Sequence, residues 1–296
     1  MKIQAAEVLP VEVPIDNAYG EVTSVSFAVA RLRTDDGLEG LGHAMPLYPR
    51  HFRSLLVAMQ EMAEMLVGED PRQPEQLHRK LNPGVMAGIL NMAQSALDVA
   101  IWDLTAKAAG LPLYRLLGGF RNHVPVYASL RLGRNHKPDK LQETAASLLR
   151  EGFKAMKMNL GANERIEDEV ARVRAVREVI GYDVNLLVDV NSLWTPSRAI
   201  RVGHAIEEFR LFWLEDPVAL TNIPGLAEVR RELETPIATG ETLFGHAAFE
   251  PLFEARAVDY LLSRSTRLVS KSRWSASVNT YGPRPPRISA TASWRS

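Results

Sequence analysis

Hydrophobic and polar positions follow three successive regimes along the chain. Over residues 1 to about 50 the pattern favours strands. Ser24–Arg33 (SVSFAVARLR) is rich in β-formers, Thr34–Gly37 (TDDG) is a turn signal, and LEGLGHA after it supplies a return strand. A small antiparallel sheet is expected. From about residue 54 to 118 the period becomes helical. Leu55, Leu56, Met59, Met62, Ala63 and Leu66 recur at helical spacing, and Ala93, Ala96, Leu97, Ala100, Ile101 and Leu104 line one face of Asn91–Ala109. Gly110 and Pro112 stop that helix, and Gly118-Gly119 closes the region.

From Val124 onward strand and helix patterns alternate. Strands are expected at 124–130, 154–160, 185–191, 211–217, 236–242 and 258–262. Between them, helices are expected at Pro138–Glu151, Glu164–Ile180, Pro196–Phe209, Ile223–Leu233 and His246–Ala255. Such alternation implies a parallel sheet or barrel. Asp189, Glu215 and Glu241 recur at 26-residue spacing, each near a strand end. That regularity points to an α/β fold of the (β/α)8-barrel type rather than an open doubly wound sheet. No GxGxxG or phosphate-loop motif supports a nucleotide-binding alternative. About six strands are recognisable, and two more units would need roughly 50 further residues. The expected organisation is an N-terminal α+β capping domain at 1–123, a partial barrel at 124–262 and an atypical segment at 263–296.

Composition alters this picture at one point. The 296 residues carry 35 basic and 35 acidic side chains, so the net charge is zero. Residues 263–296 nevertheless hold nine serines, six arginines, one lysine and no acid, leaving a net charge of −7 on residues 1–262. The break reads as a truncated or frame-shifted terminus. It implies an unclosed barrel with unpaired edges on its first and sixth strands. Neutrality overall argues against a dedicated nucleic-acid binder or a membrane-surface protein. A basic tail with Trp274, Tyr281 and Trp294 could bind nucleic acid, but its composition fits a solvated segment better. No cysteine is present, which excludes disulfides and thiolate metal sites. MKIQAAEVLPVEVP lacks the unbroken apolar core of a signal peptide, and no apolar run nears the roughly 18 residues that span a bilayer. A soluble cytoplasmic protein is expected.

The candidate chemistry lies at the strand ends. Asp189 ends LLVDV, Glu215 ends FWLE and Glu241 ends IATGE. In a barrel the C-terminal ends of strands converge on one face, so three carboxylates are expected in one volume. Left alone they would repel one another, and a divalent cation resolves the conflict. Oxygen donors without His or Cys favour Mg2+, with Mn2+ as an alternative. The plainer explanation, acids at helix N-termini, suits one such residue better than three at equal spacing. Lys157 and Asn159 share one side of the second strand. A lysine beside a cation has a lowered pKa, which suits a general base. His43, His51 and His246 have no metal-ligand spacing and read as surface or capping residues.

Taken together, ALDVAIWDL (96–104) with LPLYRLLGG (111–119), GFKAMKMN (152–159), LLVDVN (186–191), WLEDP (213–217) and ATGETL (238–243) resemble the enolase superfamily. Within it, the chain is most similar to the mandelate racemase/muconate lactonizing group, over residues 1 to about 262. The resemblance implies that Asp189, Glu215 and Glu241 are Mg2+ ligands. It implies that Lys157 is the first lysine of a Lys-x-Lys motif and that Asn159 and Asn191 meet the substrate. Segments near Ile15–Val22 and Met45–Arg53 would close over the substrate. The implied reaction is removal of the proton α to a carboxylate through a metal-stabilised enediolate. A glutamate as third ligand favours an acid-sugar dehydratase, with a racemase or epimerase as the alternative. A small-molecule carboxylate substrate and a homo-oligomer follow from the same resemblance, with no nucleic-acid or membrane partner.

Two departures bear on activity. Asn159 stands where the motif's second lysine is usual, and an amide cannot take up a proton at neutral pH. None of the seven histidines lies beyond His246, so the opposite-face acid/base pair is not visible. A non-catalytic remnant that at most binds metal is the third expectation.

Overall fold

A computed structural model describes residues 1–19, 22–46, 49–82, 84, 88–262 and 287–289. The chain divides into two compact units, one holding Met1–Asn122 and the other beginning at His123.

In the first unit β1 (Ile3–Tyr19), β2 (Val22–Thr34) and β3 (Glu39–Ala44) form an antiparallel sheet in that order. The β2–β3 turn falls on the TDDG segment, where Gly37 takes a left-handed φ of 88°. Four helices follow: α1 (Phe52–Glu64), α2 (Pro74–Leu81), α3 (Gly88–Ala108) and α4 (Leu113–Leu116). Strand alternation puts Ala28, Ala30 and Leu32 on the buried face, against Leu55 and Met59 of α1 and Leu97, Ile101 and Leu104 of α3. The small strand residues let α3 come unusually near. A Cβ at Gly42 would lie 1.9 Å from the Ala96 carbonyl oxygen, and one at Gly40 would lie 2.3 Å from that of Ala100.

In the second unit six parallel strands alternate with helices, as the sequence pattern requires. They are β4 (Ala128–Leu132), β5 (Ala155–Asn159), β6 (Asn185–Asp189), β7 (Trp213–Glu215), β8 (Ile237–Thr239) and β9 (Tyr260–Leu262). The helices are α5 (Pro138–Arg150), α6 (Ile166–Ile180), α7 (Pro196–Ile206), α8 (Ile223–Glu232) and α9 (Glu250–Glu254). A further short strand, β10 (Arg287–Ser289), pairs parallel with β9, so the sheet order is β10-β9-β8-β7-β6-β5-β4. The sixth strand is therefore paired on both sides, contrary to the expected bare edge. The rest of the 263–296 expectation lies outside the described residues, as do Gly20, Glu21, Leu47 and Tyr48 of the two lid segments. No helix among the described residues is long and apolar enough to cross a membrane.

Period-two alternation sorts the second unit's core into two layers. Met156, Met158, Leu186, Val188, Leu214, Ile237 and Leu261 face the helices and join their apolar stripes. Leu187, Trp213, Ala238, Tyr260 and Leu262 form a smaller cluster on the opposite face. Lys157, Asn159, Asp189 and Glu215 have the parity of this second face.

Gly42→Ala tests the close approach of α3 and β3. Overpacking of this kind costs about 1–3 kcal/mol. A fall in the urea midpoint is expected, because the added Cβ meets the Ala96 carbonyl. An unchanged midpoint would contradict the packing account.

Candidate active site

Strand register builds the site. Asn159 pairs with Asp189, and Asp189 pairs with Glu215, so three polar side chains reach one level at the C-terminal ends of β5, β6 and β7. Lys157 stands two residues earlier on β5, on the same face. Its Nζ donates to Asp189 Oδ2 and to Glu215 Oε1, each at 2.8 Å. All three side chains are buried. Beneath them lies an aromatic floor. Trp213 packs on Tyr260 at 5.4 Å and on Tyr127 at 5.8 Å between ring centroids. Trp213 Nε1 donates to Glu215 Oε2 at 3.1 Å, and Lys157 Nζ lies 5.9 Å from the Tyr127 ring centre.

The electrostatics follow from burying more acids than bases. Burial first, then the Asp189 charge, raise the Glu215 pKa, against the opposing pull of Lys157. Burial also pushes Asp216 up to about 7, although its Oδ1 accepts a hydrogen bond from the Thr239 hydroxyl. Burial alone would lower Lys157, but the charges of Glu215 and Asp189 outweigh it and raise the pKa. Burial takes the Tyr127 hydroxyl up to about 12.

Glu241 differs from the other two acids. The β7–β8 register pairs Glu215 with Ala238, so Glu241 lies three residues beyond the level of Asp189 and Glu215. It sits half-buried on the turn after β8, and its charge is felt by Tyr127 and Asp216. Among the described residues no three acids or histidines converge into a group able to hold a metal ion. The structure thus joins Lys157, Asp189 and Glu215 and leaves Glu241 outside that set.

Asn159 and Asn191 do meet. Asn159 Nδ2 donates to Asn191 Oδ1 at 3.1 Å, and the Asn191 N–H donates to Asp189 Oδ1 at 2.9 Å. The chain turns sharply here. Asn191 and Ser192 have φ of 50° and 65°, and Asp216 at the end of β7 has φ of 42°. Left-handed non-glycine residues gathered at strand ends mark a place where the backbone is over-determined by its surroundings. The Thr195 hydroxyl then accepts from the Arg198 N–H and starts α7.

The donor set suits a hard divalent cation. Two buried carboxylates stand side by side, and the Lys157 ammonium between them shows that the place demands positive charge. Asp216 and Trp213 were not among the expected site residues. Asp216 had a signal in the paired acids of WLEDP, whereas Trp213 reads from sequence as core.

Comparison with known proteins agrees with this architecture. Residues 2–118 match the mandelate racemase / muconate lactonizing enzyme N-terminal domain, and residues 140–276 match the enolase C-terminal domain-like model. The chain belongs to the mandelate racemase / muconate lactonizing enzyme family. It is 34% identical over 273 residues to the L-talarate/galactarate dehydratase of Salmonella typhimurium, covering 88% of this chain and 67% of that one. It is 30% identical over 230 residues to the hydrophobic dipeptide epimerase of Enterococcus faecalis, covering 77% of this chain and 63% of that one. The chain therefore spans about two thirds of the length of these relatives. Among solved structures it is similar to the Salmonella dehydratase liganded with Mg and L-lyxarohydroxamate, with a TM-score of 0.81, 30% identity and coverage of 88% and 70%. The Enterococcus dipeptide epimerase complexed with Mg and L-Leu-L-Tyr gives a TM-score of 0.81, 27% identity and coverage of 89% and 74%.

Lys157→Met isolates the charge balance. Removing one member of a buried ion pair costs about 3–5 kcal/mol. Urea unfolding in the presence of a chelator is expected to show a loss of that size. An unchanged midpoint would mean that Lys157 does not neutralise Asp189 and Glu215.

Proposed function

We propose that this chain is a Mg2+-dependent acid-sugar dehydratase that removes the proton α to a substrate carboxylate. The observation carrying the reading is the pair of buried carboxylates, Asp189 and Glu215, held in register around one cationic place at the strand ends. Asp189 and Glu215 would hold the ion, with Glu241 reaching in from the turn after β8. Bound there, Mg2+ supplies charge stabilisation for the anion that develops on the substrate carboxylate.

The remaining roles belong to this chain's own side chains. Lys157 is the catalytic group in this reading. For Nζ to accept a proton, it must first leave Asp189 and Glu215, whose charges keep it an ammonium. Until then it can only donate, which holds the site's acids apart and screens their repulsion. Asn159 and Asn191 offer amide groups to substrate oxygens beside Asp189, and neither can take a proton. Trp213 fixes one Glu215 oxygen, leaving the other for the cation. The aromatic floor of Trp213, Tyr127 and Tyr260 keeps water from the underside of the acid pair.

Dehydration is preferred to racemisation because of Asn159. Racemisation needs proton carriers on both faces of the substrate carbon. Dehydration starts with one abstraction and ends with loss of the β-hydroxyl. Similarity to an L-talarate/galactarate dehydratase supports the same choice. The family also includes epimerases, so a racemase or epimerase is the alternative; exchange of the α-proton with solvent without loss of water would favour it.

Two measurements test the proposal. Calorimetric titration with Mg2+ should show binding to the native chain and a loss of at least tenfold in Asp189→Asn and Glu215→Gln. Glu241→Gln should weaken binding less, because that carboxylate stands outside the paired set. Turnover of acid sugars should vanish with EDTA and return with added Mg2+. Activity that is indifferent to EDTA would refute the metal-assisted reading.

A further inference from the structure

A cationic side chain stands beside this site with no carboxylate partner among the described residues. Arg134 follows β4, on the same end of the sheet as Asn159 and Asn191. Its Nη2 donates to Asn191 Oδ1 at 2.5 Å and lies 3.5 Å from the Val190 carbonyl oxygen. Its Nε is buried and has no hydrogen-bond partner among the described residues. One nitrogen of the guanidinium thus carries both of its contacts, and both acceptors are neutral. A planar fork that could bind a carboxylate bidentately is left largely unspent.

The turn that carries Arg134 is built to hold still. Arg172 of α6 donates to the carbonyls of Gly133, at 2.8 Å, and His136, at 3.2 Å, one on each side of Arg134. Arg172 is itself paired with Glu169 at 3.2 Å, and both are buried. Glu169 Oε1 accepts from the N–H groups of Gly161 and Asn163, at 2.8 and 3.2 Å, in the loop after Asn159. One buried ion pair therefore locks the loops after β4 and β5 to the same helix. Precise placement of a guanidinium is what recognition of a planar anion needs.

Position then suggests what the anion is. Asn191 bonds Arg134 through its side chain and Asp189 through its backbone N–H. A substrate whose first carboxylate lies at the acid pair would extend past Asn191 towards Arg134. We propose, resting on the acid-sugar reading above, that Arg134 is a specificity-determining residue that binds a second carboxylate at the far end of the substrate. The preferred substrate class is then a sugar dicarboxylate rather than a sugar monocarboxylate. Arrival of that carboxylate exchanges a neutral amide acceptor for a charged one, and the guanidinium gains a charge-assisted pair of hydrogen bonds.

The test is calorimetric binding at saturating Mg2+, using galactarate as the dicarboxylate probe and galactonate as the monocarboxylate probe. The native chain should bind galactarate more tightly. In Arg134→Ala the galactarate Kd should rise about 10- to 100-fold, the range for losing hydrogen bonds to a charged group. The galactonate Kd should change far less, so the preference collapses. Arg134→Lys, which keeps the charge and loses the fork, should fall between them and guards against misfolding of the alanine variant. No preference in the native chain, or an equal loss for both probes, would overturn the proposal and leave the dehydratase reading standing. Failure of both probes to bind the native chain would overturn both. Tight, Arg134-dependent galactarate binding without turnover would support the proposal and count against the dehydratase reading.

Discussion

The site depends on the in-register pairing of β5, β6 and β7. Parallel pairing puts Asn159, Asp189 and Glu215 at one level, and period-two alternation turns them to one face with Lys157. Two carboxylates thereby become buried near each other, which is costly unless positive charge stands between them. The Lys157 ammonium meets that demand in the structure, and it does so with two hydrogen bonds of 2.8 Å. The raised pKa values of Glu215 and Asp216 follow first from that burial, with the neighbouring Asp189 charge adding to it.

Around that constraint the fold arranges rigid support. Trp213, two residues before Glu215, packs in the aromatic layer and donates to the acid above it. The Glu169–Arg172 pair ties two strand-end loops to α6 without touching the acids. Asp216 joins β7 to β8 through Thr239 and receives the Ser192 N–H at 2.8 Å on its carbonyl oxygen. Asn191 and Asp216 tolerate the left-handed region better than most residues, and the Ser192 N–H bond to the Asp216 carbonyl holds the turn. The first unit uses a different device. There, glycines at positions 40 and 42 let a helix backbone lie almost on a strand, and Asp103 and Lys107 of α3 add hydrogen bonds to the Leu41 N–H and the Glu39 carbonyl.

Family membership and the local chemistry answer different questions. The family defines the two-part architecture and the reaction repertoire, which includes dehydratases and epimerases. In the proposed reading the choice within that repertoire rests on two side chains: Asn159 is an amide that cannot carry a proton, and Arg134 has no carboxylate partner among the described residues.

Much of this was legible in the sequence. Helical and strand periods differ enough to place all six strands of the second unit and its helices, because burial on a periodic face imprints itself locally. Parity put Lys157 and Asn159 on one side of β5, and position at the strand ends put Asp189 and Glu215 at one end of the sheet. Other features were set by contacts between residues far apart in the chain. Glu241 keeps the 26-residue spacing but lies on the turn after β8, three residues past the level of Glu215, because β7 pairs Glu215 with Ala238 and loop lengths do not report register. Glu169 and Arg172 lie on a helix that the sequence pattern predicts, but their burial depends on the loops after β4 and β5. Arg134 carries no motif; only the fold of β4 onto β5 and β6 brings it to Asn191. Local periodicity records which face of an element is buried, whereas register and loop packing decide which polar groups meet, and these depend on partners that no local pattern encodes.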